Sequence, residues 1–248
     1  MAGSRGSTIA FRILSGLFGL VTVVFTVPFI FVSLTDEQEK AHAFHNIGAG
    51  LAFSIVLGAG LLLAAWKPKE MLAPFQAAFL ASLMMAIAAL LGGDLISGTY
   101  FAAPVILVVL AFLHPARAEL WTLGRVRPSL LVLWIVWSVP AIAYATTQAD
   151  LQRDNPVSDP HVDLHHYSGA AAAAFGVLAA ALVASFGTRG TRAAGWIAGL
   201  SSALLGLTSL AFSDRVSAFD TPWAWLALPW GIAFIGASEF ECRRDAPA

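Results

Sequence analysis

Residues 13–34 read ILSGLFGLVTVVFTVPFIFVSL, 22 successive residues without a formal charge. As a helix rising 1.5 Å per residue, such a run reaches about 33 Å, and a bilayer's hydrocarbon core is about 30 Å thick. A secretory signal has a shorter apolar run of roughly 7–15 residues. The segment therefore reads as a retained membrane helix.

Seven further runs of this kind follow: Ile47–Trp66, Met71–Leu91, Leu95–Leu113, Ser129–Thr147, Tyr167–Phe186, Ala193–Ser213 and Thr221–Ser238. Pro28, Pro104, Pro140 and Pro229 fall inside spans, where neighbouring helices can satisfy the freed carbonyls. The composition agrees. Of 248 residues, 58% are hydrophobic and 12% charged, against about 45–50% and about 25% in soluble domains. So little charge cannot cover a soluble surface, which excludes a soluble enzyme, a disordered tail and a nucleic-acid binder. The single Cys242 excludes an intramolecular disulfide and a thiolate metal cluster. No G-x-x-x-x-G-K-[ST] loop exists for a nucleotide. The expected fold is an all-α, polytopic transmembrane bundle of eight spans.

Basic residues decide the orientation. With a cytoplasmic N-terminus, Arg5, Arg12, Lys67, Lys69, Arg117, Arg125, Arg127, Arg189, Arg192, Arg243 and Arg244 lie inside, and only Lys40, Arg153 and Arg215 outside. Ten of the 15 acids and five of the six histidines then fall outside, His114 being the exception. Both termini are expected in the cytoplasm. High Ala and Gly with few lysines points to a GC-rich bacterial genome, hence to a bacterial cytoplasmic membrane.

The chain also carries an internal echo. His45-Asn46-Ile47-Gly48-Ala49 and His166-Tyr167-Ser168-Gly169-Ala170 each open a small-residue span that ends in a basic turn. Asp94-Leu95-Ile96-Ser97 and Asp214-Arg215-Val216-Ser217 follow one span later in each half. The pattern predicts two tandem four-helix units, 1–124 and 125–248. With an even number of spans per unit, a pseudo-two-fold axis along the membrane normal would relate them.

The outer boundary gathers the chemistry. Thr35 with Gln38 fits a capping box, which would start the second helix at Asp36 and carry His42 and His45 outward on one face. Asp159 followed by Pro160 fits an N-cap and first helical position. A continuous helix from there would put His161 and His165 on one face, and Asp163 with His166 on another. Asp94 and Asp214 could cap the following helices or join the histidines. Imidazole and carboxylate are ligands for zinc and other divalent metals. His45, His161, His165, His166, Asp94 and Asp214, with His42 in addition, form the candidate metal set. A metal there could generate hydroxide for hydrolysis of a lipid-borne bond, with the bilayer and a lipid or small molecule at the outer face as partners. This arrangement resembles the alkaline ceramidase and adiponectin-receptor group, seven-span proteins with a three-histidine zinc near one membrane face. The resemblance covers the H-x-x-x-H spacing of His161 and His165 and its location, and it implies a zinc-dependent activity on lipid.

Other classes compete. A non-enzymatic membrane subunit or a passive small-molecule transporter needs no metal, and His45 and His166 could hold a haem iron between two helices. The spans lack ionisable residues, which argues against proton or sodium coupling. Gly195 and Gly199 form a G-x-x-x-G suited to close helix packing. Trp121, Trp196, Trp223 and Trp225 read as boundary anchors, and Trp134, Trp137 and Trp230 as packing residues.

Overall fold

The structure, a computed structural model, describes residues 5–36, 39–95 and 98–244. Gln38, Ile96 and Ser97, quoted above, lie outside the described residues. Each predicted run forms a helix: α1 (Arg5–Thr35), α2 (Phe44–Trp66), α3 (Leu72–Leu91), α4 (Gly98–Leu113), α5 (Pro128–Asp154), α6 (His166–Ser185), α7 (Thr191–Ala211) and α8 (Thr221–Arg244). The protein is an all-helical membrane protein, and six of these helices are long and apolar enough to cross a bilayer. The other two are α4 and α8. The 16 residues of α4 rise only about 24 Å. Three tryptophans and two prolines lower the hydropathy of α8.

Within residues 1–124, α1 packs on α2 and α4, α2 on α3, and α3 on α4. Within 125–248, α5 packs on α6 and α8, α6 on α7, and α7 on α8. The two sets meet through α2 against α7 and α3 against α6, so α2, α3, α6 and α7 form the core. Of the six long helices, α6 is the most enclosed and α1 the least. Its run Ala170–Ala174 lets neighbours approach closely, as small residues do where lipid offers no hydrophobic drive. The G-x-x-x-G works the same way, because a Cβ on Gly199 would lie 2.5 Å from the carbonyl of Gly231 on α8. Trp137 stacks on Trp230, and Trp134 Nε1 donates to the Leu178 carbonyl, so both tryptophans of α5 face protein.

Three local expectations are corrected. Thr35 does not cap α2: its hydroxyl donates to the Phe31 carbonyl inside α1, which continues to that point. A 3-10 turn, Glu39–His42, intervenes before α2 opens at Phe44. Second, the helix begun at Pro160 stops at Asp163, because His165 turns left-handed at φ 58° before α6 starts. Asp159 does cap that single turn, accepting the His161 N–H at 2.8 Å. Third, Asp214 does not cap α8, whose first turn closes on the carbonyl of Asp220.

Candidate metal centre

Three short pieces of backbone converge at one end of the core. The Glu39–His42 turn brings His42, the Pro160–Asp163 turn brings His161, and the first residue of α6 is His166. One ligand nitrogen from each of these imidazoles lies within 4.8 Å of the others, a cluster that could hold a metal ion. The Nδ1 atoms of His42 and His166 are 3.0 Å apart. His45 closes the cluster on the core side, stacked on His166 at 4.6 Å and 18° and 5.3 Å from the His161 ring. It sits in a π-helical opening stretch of α2, Phe44–Ala49. Such a wide turn rotates the residues beyond it relative to a regular helix.

Asp159 organises one edge. Beyond capping its turn, one of its oxygens lies 3.1 Å from His161 Nδ1, and the other accepts the Tyr167 hydroxyl at 3.0 Å. That contact assigns the proton to Nδ1 and leaves Nε2 of His161 as the lone-pair nitrogen. Nε2 is buried and has no hydrogen-bond partner among the described residues. Burial raises the Asp159 carboxyl, but the hydrogen bonds from His161 and Tyr167 outweigh it and hold the group below its ordinary range. Burial, together with the neighbouring His161, pushes the His42 imidazole below its usual value, against an opposing pull from Glu39 and Asp159. His42 is thereby kept neutral, the state a metal ligand needs.

The remaining candidates lie elsewhere. His165 turns away, its Nδ1 2.9 Å from Asp94, whose side chain is almost fully buried. The His165 carbonyl accepts the Tyr100 hydroxyl of α4, which fixes this turn against the first half of the chain. Asp214 is exposed, 3.6 Å from the Arg215 guanidinium. The roles of Asp159 and Tyr167 beside the cluster were missed from the sequence. One signal was present: an N-cap aspartate two residues before a histidine places that side chain beside its own carboxylate. The stacking of His45 on His166 also bears on haem. Face-to-face rings at this spacing leave no gap for a porphyrin plane between two axial nitrogens.

Comparison of the chain with protein-family models, with curated proteins and with solved structures gives no match.

Proposed function

We propose that His42, His161 and His166 hold one divalent ion, zinc by donor type, at the extracytoplasmic face of a multi-pass protein of the bacterial cytoplasmic membrane, and that the centre hydrolyses a lipid-borne bond. The observation that carries this reading is the convergence of three imidazole nitrogens from separate segments, with the buried Nε2 of His161 opposite an Asp159-held Nδ1. Zinc–nitrogen bonds of about 2.0–2.1 Å in a tetrahedron place ligand nitrogens about 3.4 Å apart. The His42–His166 pair is already near that spacing, and the third ring closes on it with a shift on the order of 1 Å.

A divalent ion held by three neutral histidines keeps a coordination position open and lowers the pKa of a water there towards about 7. Asp159 orients His161 and strengthens it as a donor. His45 walls the cluster from the apolar core. The acidic outer loops concentrate cations. The cluster lies at the ends of α2 and α6, so a bond near a lipid headgroup is within reach while the chains stay in the bilayer.

The outer location follows the 11-to-3 distribution of basic residues between loops. On the same reading the halves are copies related by an axis along the membrane normal. The matching order of helix pairing supports this, and so does the contact of the matched His45 and His166.

Elemental analysis of the purified protein tests the centre. About one zinc per chain is expected, lost in His42→Ala/His161→Ala, together with metal-dependent release of a product from phospholipid vesicles. Zinc without hydrolysis would leave a structural metal in a non-enzymatic subunit or passive transporter. No metal at all would overturn the centre.

A further inference from the structure

A cavity of about 300 Å³ opens between α5 and α8. Its wall is built of rings: Trp137, Tyr144, Phe219 and Trp223. Tyr144 and Phe219 meet edge to face at 4.5 Å, which sets two of these rings at right angles. Asp220 sits at the rim, and neither lysine nor arginine lines the space. Three of the lining's other polar side chains bond within the protein. Tyr144 donates to the Ser217 carbonyl, Gln148 Oε1 accepts the Ser217 hydroxyl at 2.5 Å, and Thr147 donates to the Ala143 carbonyl. What remains for a ligand is aromatic surface, the N–H donors of Trp137, Trp223 and Gln148, and one carboxylate as acceptor.

We propose that this cavity binds a quaternary ammonium group. Ring faces attract a cation through their quadrupoles, tryptophan most strongly, and several rings around one cation are how quaternary ammoniums are recognised. A primary ammonium carries three N–H donors that need acceptors, and this wall offers only the rim carboxylate. A trimethylammonium makes no such demand. It presents methyl groups to the rings and its charge to Asp220. Exposed Trp223 and buried Trp137 grade the wall from water into the spanning part of α5. A choline headgroup of a bilayer lipid or a free choline-like solute supplies the same chemistry. The cavity is distinct from the histidine cluster. The ring of Phe219 separates it from Phe44, which in turn packs on His45.

The test uses the full-length protein in detergent micelles free of choline groups, treated with chelator so that metal plays no part. Tetramethylammonium titrated against intrinsic tryptophan fluorescence should saturate. The neutral isostere 3,3-dimethylbutanol should bind at least about tenfold more weakly. Trp223→Ala and Asp220→Asn, both at exposed positions, should each weaken tetramethylammonium about tenfold. Tighter binding of phosphatidylcholine in nanodiscs than of free choline identifies the lipid as the source, and the reverse identifies the solute. Equal affinity for the neutral isostere, or unchanged binding in Trp223→Ala, would overturn the proposal.

Discussion

Asp159→Asn separates the two tasks of this residue. In the structure it caps the turn carrying His161 and also meets the His161 ring nitrogen at 3.1 Å. Asparagine is as good an N-cap as aspartate, so the turn survives. What is lost is the anionic partner that orients His161 and raises its basicity, a contact worth about 10–100-fold in metal affinity, or about 1.4–2.7 kcal/mol. Asp159→Ala removes the cap as well and costs about 1 kcal/mol of stability in addition. The assay is competitive zinc titration of the purified protein against a chromophoric chelator, paired with metal-free melting. The expected pattern is weaker zinc in both variants but a lower metal-free melting point only in Asp159→Ala. Zinc binding as tight as wild type in both variants would refute the reasoning, because the carboxylate would then be a cap and nothing more. The pH dependence has a definite sign. His42 is held below 6.5, so it is neutral at pH values where a free imidazole is half protonated. Zinc release on acidification should therefore have its midpoint below 6.5, and a midpoint above it would contradict the burial of His42.

After replacement of Cys242, single cysteines at Asp154 and Asp220 should react with an impermeant thiol reagent on whole cells and those at Lys69 and Arg127 should not; labelling at Lys69 would reverse the orientation. Gly199→Ala should lower thermal stability by about 1–3 kcal/mol, because its Cβ meets the Gly231 carbonyl at 2.5 Å, whereas Gly236→Ala, with open space around it, should raise stability by up to about 1 kcal/mol. His114 is enclosed, and burial with nearby Arg189 lowers it to about 4. Below 6.5 the unfolded chain takes up a proton that the native state refuses, so stability should fall between about 6.5 and 4 by on the order of 3 kcal/mol. Melting curves of His114→Gln should lack that component.

The helices were legible because hydrocarbon leaves little choice. A run of about 20 apolar residues must satisfy its own backbone, and it does so as a helix whatever its neighbours are. The packing role of Gly199 was legible for a related reason, since glycine at four-residue spacing is chiefly useful where backbones touch. The site was harder to read, because it lies where that constraint ends. Nothing in His165-His166-Tyr167 announces a left-handed residue, which glycine or asparagine would ordinarily supply. The turn is held by long-range partners, the Tyr100 hydroxyl on the His165 carbonyl and Asp94 beside its ring. Both come from the first half of the chain. Without that break, His161 and His165 would share a face. With it, His161 and His166 converge and His165 leaves. His42 was the weakest of the predicted ligands for the same reason: its position depends on a short 3-10 turn, not on helical periodicity.

The proposed duplication and the proposed metal centre constrain each other. Under a two-fold axis, matched residues touch only close to that axis, and His45 stacks on its match His166. The cluster would then sit on the axis, where a symmetric protein would offer each ligand twice. This one does not. At the spacing that pairs His45 with His166, His161 matches Lys40, and His42 matches Asp163. If the halves are copies, each contributes a histidine where the other carries a charged residue. A symmetric set around one ion would carry ligands in equal numbers from both halves. The observed trio takes His42 from the first half, and His161 and His166 from the second. Such a set would hold a single ion asymmetrically beside the axis, with one side of its coordination shell left to solvent or substrate. The lysine at the position matching His161 also explains why a second centre would not form, since an ammonium has no lone pair to give to a metal.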